Sequence, residues 1–271
     1  MTFPSRLIAL ALVALLPLLS ACGPKDQATE STETAVSSAT ATTPAEVAPT
    51  TGAAAAAAPA SAETTPTTPA SATPPAGPEP VAGTDYTEID AGQPYAPQAG
   101  KIEVAEVFGY TCPHCAQFEP LITAWQRKQP ADVQVTPVPA AFGGYWITYA
   151  RAFYAAETLG VLEKSHDAVF SALHVQHSLE LNSTPEQIGA FYAKYGVDAK
   201  TFASTMSSFG VETKLNRAKQ FAVRSKVEGT PSIVVAGKYL VSVDQRGYDV
   251  MFNTVDHLVA RERAALAGAA K

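Results

Sequence analysis

Two thiols two residues apart, in Cys112-Pro113-His114-Cys115, are the part of this sequence best equipped for chemistry. They stand between an apolar run, Ile102 to Phe108, with the alternation of a strand, and a run from Pro113 with the spacing of a helix. At a strand-to-helix junction such a pair can close a small disulfide across the first helical turn. The first thiol then faces the unpaired N–H groups and positive dipole end of the helix, which stabilise a thiolate. An ordinary thiol, with a pKa of about 8.5, is scarcely ionised at neutral pH, so this stabilisation alters its reactivity strongly. Apart from Cys22, these are the only cysteines among 271 residues, which excludes a structural disulfide framework and implies thiol–disulfide exchange.

The elements that must hold the pair can be read from periodicity. Lys101 to Tyr110 is predicted as a strand with Ile102, Val104, Glu106 and Phe108 on one face. Pro113 suits a first helical turn, where its missing N–H costs nothing, and Phe118, Leu121, Ile122 and Trp125 follow at helical spacing, with a kink expected at Pro120. Tyr86 to Asp90 reads as a short edge strand and Val133 to Val138 as a third strand. From Tyr145 to about Arg224 the pattern is helical throughout, and Thr184-Pro185-Glu186-Gln187 has the form of a capping box. Ser232 to Val235 and Tyr239 to Val243 flank Ala236-Gly237-Lys238 as a hairpin, and a last helix spans about Tyr248 to Leu266. The order β–β–α–β, a helical block, then β–β–α predicts an α/β domain with helices inserted at about 145–224.

Glu106 is conspicuous on this plan, because it falls on the inward face of a buried strand six residues before Cys112. A buried carboxylate is costly without a role or partner, and desolvation raises its pKa. Glu119, one helical turn after Cys115, is expected to be a solvated helix carboxylate. Competing uses of the cysteines fit poorly. A c-type haem site needs histidine directly after the second cysteine, where Ala116 stands, and a zinc site needs four ligands. His174 and His177 are too closely spaced for the usual zinc pattern and are expected on a helix surface or in packing.

The stretch Phe108-Gly109-Tyr110-Thr111-Cys112-Pro113-His114-Cys115-Ala116-Gln117-Phe118-Glu119 resembles the active site of the DsbA-type thiol:disulfide oxidoreductases of bacterial periplasms. Gly229-Thr230-Pro231, ahead of Gly237-Lys238-Tyr239, is similar to the cis-proline loop of that family and of thioredoxins, and the helical block between the motifs matches as well. The resemblance runs from about Tyr86 to the end. It implies a thioredoxin fold with an inserted helical domain, and a cofactor-free, metal-free dithiol oxidase that donates the Cys112–Cys115 disulfide to exported proteins. Cys112 would be the exposed nucleophile and Cys115 the buried resolving thiol. Pro113 and His114 would shape the loop between them, His114 adding a donor and partial positive charge. A cis Pro231 would leave the Thr230 backbone free to bond an extended substrate. Glu106 would serve proton transfer at the second thiol, although the lysine that the family archetype supplies from the next strand has no counterpart between Gln129 and Gly144. A DsbB-like membrane oxidase is the implied partner, and a monomer the implied state. A reductase or isomerase is the alternative that Thr230 keeps open, and a metal-binding or chaperone-like lipoprotein a more distant one.

The N-terminus points to export, where disulfides persist. A basic start, Met1 to Arg6, precedes the apolar Leu7 to Leu19, which is too short to span a bilayer comfortably but suits a signal peptide. Leu19-Ser20-Ala21-Cys22 resembles a lipobox, which implies a signal over 1–21 and an acylated Cys22, with Gly23 favouring the outer membrane. Residues 22–84, rich in Ala, Thr, Pro and Ser without amphipathic period, are expected to be a disordered linker. Residues 85–271 then have the length of one domain. The net charge of −6 offers no basic stripe for nucleic acid.

Overall fold

The computed structural model describes residues 74–269. The expected signal sequence, Cys22 and most of the linker lie outside the described residues.

The chain runs through β1 (Thr87–Glu88), β2 (Ile102–Phe108), α1 (Pro113–Gln126) and β3 (Val133–Pro139) before entering five successive helices. These are α2 (Tyr145–Thr158), α3 (Leu162–His174), α4 (Pro185–Tyr192), α5 (Ala199–Met206) and α6 (Phe209–Arg224). It returns to the sheet as β4 (Ser232–Val235) and β5 (Tyr239–Ser242) and ends in α7 (Tyr248–Ala269). The sheet order is β1-β5-β4-β2-β3, with β2 and β3 parallel around α1 and the other pairs antiparallel. This is the mixed sheet and helical insertion expected of a thioredoxin-like fold.

Because β2 is paired on both edges and covered on both faces, every one of its residues is buried. Its alternation sorts side chains between two cores as far as Val107, but Phe108, expected beside Ile102 and Val104, packs instead with Phe153 and Phe170 of the helical block where the strand ends. Ile102 and Val104 pack with Phe118, Ile122 and Trp125 of α1 and with Val255, Leu258 and Val259 of α7. Ala105 and Val107 pack toward the helical block, with Tyr149 and Phe153 of α2 and Leu215 and Phe221 of α6. The inserted helices begin where their caps direct. Thr184 and Gln187 bond reciprocally as a capping box, and the side chains of Asp198 and Ser208 accept N–H groups at the starts of α5 and α6.

Ordered contacts start upstream of Asp85, within the stretch whose composition suggests linker. Pro80 is buried, Asn253 Nδ2 donates to the Pro78 carbonyl at 2.9 Å, and the Val81 N–H donates to Asp85 Oδ2 at 2.6 Å. Asp85 in turn pairs with Arg246.

Candidate active site

β2 delivers the chain to the site and α1 takes it away. Gly109 to Thr111 turn between them, and Cys112 occupies the N-cap position with extended backbone (φ −92°, ψ 118°) while Pro113 opens the helix. Gly109 is required by packing: a Cβ there would lie 2.1 Å from the Trp146 ring of α2. The inserted block therefore closes directly over the approach to the two thiols.

Both cysteines are free thiols here. Cys115 is 0 % exposed and Cys112 6 %, so the order is as expected, but Cys112 is more shielded than an exposed nucleophile would be. The reason is the loop before β4. Its Thr230–Pro231 peptide is cis, and the Thr230 carbonyl lies 3.5 Å from Cys112 Sγ. Gly229, Thr230, Pro231 and Ser232 also line a groove of about 640 Å³ that continues to Thr87 and Leu240.

The two sulfurs differ sharply in acidity. The Cys112 thiol is pushed down to about 5, first by a hydrogen bond from Cys115, then by Thr230 and the backbone N–H groups of Cys115 and His114, against an opposing effect of burial. Cys115 is pushed far up, chiefly by burial and then by its contact with Cys112. The pair thus shares one negative charge, held at the sulfur that faces the helix N-terminus. Such an arrangement can accept a mixed disulfide at one sulfur while keeping the other protonated.

His114 is exposed in the first turn of α1, and its carbonyl accepts a 3.1 Å bond from Tyr248 Oη at the start of α7. Tyr248 is a neighbour that spacing could not reveal, 134 residues away in sequence. Its hydroxyl is pushed up by burial and then by the negative charge of the thiol pair, and its ring packs 5.0 Å from Phe118.

Glu106 is 2 % exposed, and its Oε1 makes no hydrogen bond among the described residues. Burial, and then the charge of Glu119, push its carboxyl well above the ordinary range. Opposite it β3 supplies Pro137 rather than a cation. Glu119 departs from expectation: it is 9 % exposed rather than solvated, because α3 packs against its face of α1. Its Oε2 lies 3.2 Å from His166 Nε2, and Oε1 accepts from Thr123 at 3.4 Å. Glu103 is also buried on the other face of β2, where its carboxylate accepts the N–H groups of Tyr95 and Ala96 at 2.5 and 2.7 Å. His174 Nε2 bonds the Tyr110 carbonyl at 2.7 Å, whereas His177 is exposed beyond the end of α3.

With this geometry in place, comparison with known proteins is specific. A family model described as a DSBA-like thioredoxin domain matches residues 103–258. The thiol:disulfide interchange protein DsbA of Pseudomonas aeruginosa is 41 % identical over 185 residues, covering 68 % of this chain and 86 % of that protein. Its counterpart from Azotobacter vinelandii is 40 % identical over 184 residues, covering 68 % and 85 %. Among solved structures, oxidoreductase DsbA from Xylella fastidiosa matches with a TM-score of 0.66 and 46 % identity, over 68 % of this chain and 98 % of that one.

Proposed function

The chain belongs to the DSBA-like thioredoxin domain family and is a thiol:disulfide oxidoreductase of oxidative protein folding, and from that premise we propose how its residues divide the work. Cys112 is the nucleophile and leaving group, and Cys115 is the resolving thiol. A substrate thiolate attacks Cys112 Sγ in the Cys112–Cys115 disulfide. The S–S bond breaks, its electron pair passes to Cys115 Sγ, and that sulfur takes up a proton. A second substrate thiolate then attacks the substrate sulfur of the mixed disulfide and expels Cys112 as a thiolate. Two electrons have moved from substrate to protein, and the substrate holds the disulfide.

The observation that carries this direction is the place of Cys112 at the N-terminus of α1, beside Cys115, Thr230 and the first helix N–H groups, which together lower its pKa. A stabilised thiolate is a good leaving group and favours the reduced protein, which makes the disulfide form oxidising. Thr230, whose type resembles the reductase and isomerase branches, here stabilises the Cys112 thiolate and so adds to the oxidising tendency. In this reading Pro231 keeps the Thr230 backbone beside the sulfur for an extended substrate, Pro113 and His114 form the turn that presents helix N–H groups, and Glu106 serves the proton on Cys115. Oxidised protein mixed with a dithiol peptide and quenched in acid tests the assignment: the trapped mixed disulfide should lie on Cys112. Trapping on Cys115 would reverse the roles.

The same reading places the protein in the periplasm as a monomer, without cofactor or metal, acting on reduced exported proteins and reoxidised by a DsbB-like membrane oxidase. Leu19-Ser20-Ala21-Cys22 supports tethering through acylated Cys22, with the outer membrane favoured by Gly23. Because one acyl chain binds membranes only marginally, stable attachment requires several. Fractionation tests the tether: the natural chain should pellet with membranes and C22S should not. A soluble natural chain would make Cys22 merely the end of an ordinary signal.

A further inference from the structure

The acid beneath the active-site helix lacks the cation that a neighbouring strand might supply. No Lys or Arg occurs between Gln129 and Gly144, and Pro137 stands opposite Glu106 in β3. What reaches the site instead comes from the inserted block. His166 of α3 places Nε2 3.2 Å from Glu119 Oε2 and Nδ1 2.7 Å from Tyr110 Oη. Its ring is held by Phe108, Phe153 and Phe170, with centroids 5.2, 5.9 and 5.4 Å away.

Two features set this histidine apart from a packing residue. Burial keeps the Tyr110 hydroxyl protonated, and such a hydroxyl can donate to Nδ1 or accept from it, while Glu119 faces Nε2, so both ring nitrogens are engaged whichever carries a proton. A cavity of about 470 Å³ also opens on Glu106, Glu119 and His166 together, with Glu163 and Asp167 of α3 and Arg127, just past the end of α1, as its other charged walls. A space of that size accommodates several waters at about 30 Å³ each, with polar partners to hold them. Glu119 in turn is one helical turn from Cys115.

We propose that His166 is the proton-relay partner of the Glu106–Glu119 pair, passing protons between the two carboxyl groups and solvent in this cavity. The inference rests on the reading of Glu106 as the acid that serves Cys115. When a substrate thiolate breaks the Cys112–Cys115 bond, the electron pair remains on Cys115 Sγ, and the carboxyl pair gives that sulfur its proton. His166 passes a proton from Nε2 to Glu119 and takes one back from cavity water. In the opposite direction each proton retraces the path. An imidazole suits this position because its two ring nitrogens reach two partners at once and can each donate or accept, whereas a lysine only donates. His166 is thus a positioning and relay residue that acts on the sulfur through the carboxyl pair.

The test is single-turnover oxidation of a dithiol peptide by the oxidised full chain, from mildly acidic to mildly alkaline pH. H166Q, E106Q and the double variant are compared, with thermal unfolding as the check on folding. Glutamine retains hydrogen-bonding capacity but does not titrate, so H166Q should slow oxidation about ten-fold, below the full range of about 10²–10⁴ for a general acid, and flatten the pH profile. The double variant should be no slower than E106Q. Slow E106Q with H166Q at the natural rate and profile overturns the role of His166 alone. E106Q at the natural rate overturns the Glu106 reading and the relay with it. Uniform slowing of H166Q with an unchanged pH profile marks a structural role and overturns the proposal. Should H166Q fail to fold, Tyr110→Phe, which removes only the hydroxyl on Nδ1, serves instead: an altered profile supports the relay and an unaltered one overturns it.

Discussion

Replacing Cys112 with Ser should change how the stability of the reduced protein depends on pH, in a direction and window set by the site. The thiol falls from 9.0 to about 5 in the folded chain. Its folded-state pKa is depressed, so its contribution to stability is full above the unfolded value and is lost as pH falls through about 5. The fall corresponds to about 5 kcal/mol at most, less whatever solvent screens at a sulfur near the surface. At pH 7, midway through the window, about half remains, roughly 3 kcal/mol. The oxidised protein has no thiolate at this position and gains none of it. The assay is urea unfolding of reduced C22S and reduced C22S/C112S across the window, the Cys22 substitution removing the third thiol. The stability difference should shrink steadily from alkaline pH downward and level off below about 5. A difference independent of pH would rule out a stabilised Cys112 thiolate, as would a thiolate absorbance that vanishes near the ordinary thiol value.

Three further outcomes follow from particular contacts. Thr230→Val removes one hydrogen bond to the Cys112 thiolate and should raise its titration midpoint by about one pH unit, since a hydrogen bond to a charge contributes about 1.5–3 kcal/mol; thiolate absorbance measures it. Glu106 has its folded pKa raised, so its contribution is fully present below the unfolded value and is lost as pH rises above it. E106Q should therefore become progressively more stable than the natural chain as pH rises from acid toward neutral, and parallel urea curves would contradict this. Gly109→Ala drives a methyl group into the Trp146 ring and should destabilise the fold by about 1–3 kcal/mol, read by thermal unfolding.

What the sequence revealed and what it concealed divide along physical lines. Cys112, Pro113 and Cys115 form a local motif, and the helix N-terminus that acidifies the first thiol belongs to the same few residues. Pro231 was legible because a turn and a hairpin follow it, and Glu106 because a period of two puts it on the face of Ile102 and Val104. The burial of Glu103 is not visible in the sequence, since it depends on β2 being central, and strand order is not written in alternation. Glu119 read as a solvated carboxylate, because only the docking of α3 onto α1 buries it. His166 and Tyr248 meet the site across 47 and 134 residues of chain, distances at which no spacing rule operates. The local chemistry was thus readable, whereas its proton environment is a product of tertiary packing.

The central claim is that the site holds Cys112 as a stabilised thiolate and therefore makes the Cys112–Cys115 disulfide an oxidant. The equilibrium between the protein and glutathione at neutral pH tests it most directly, with the reduced and oxidised fractions counted after acid quenching and alkylation. A small proportion of reduced glutathione should suffice to reduce half the protein, and Thr230→Val should require more. A protein that stays oxidised in predominantly reduced glutathione, as a structural disulfide does, would contradict it.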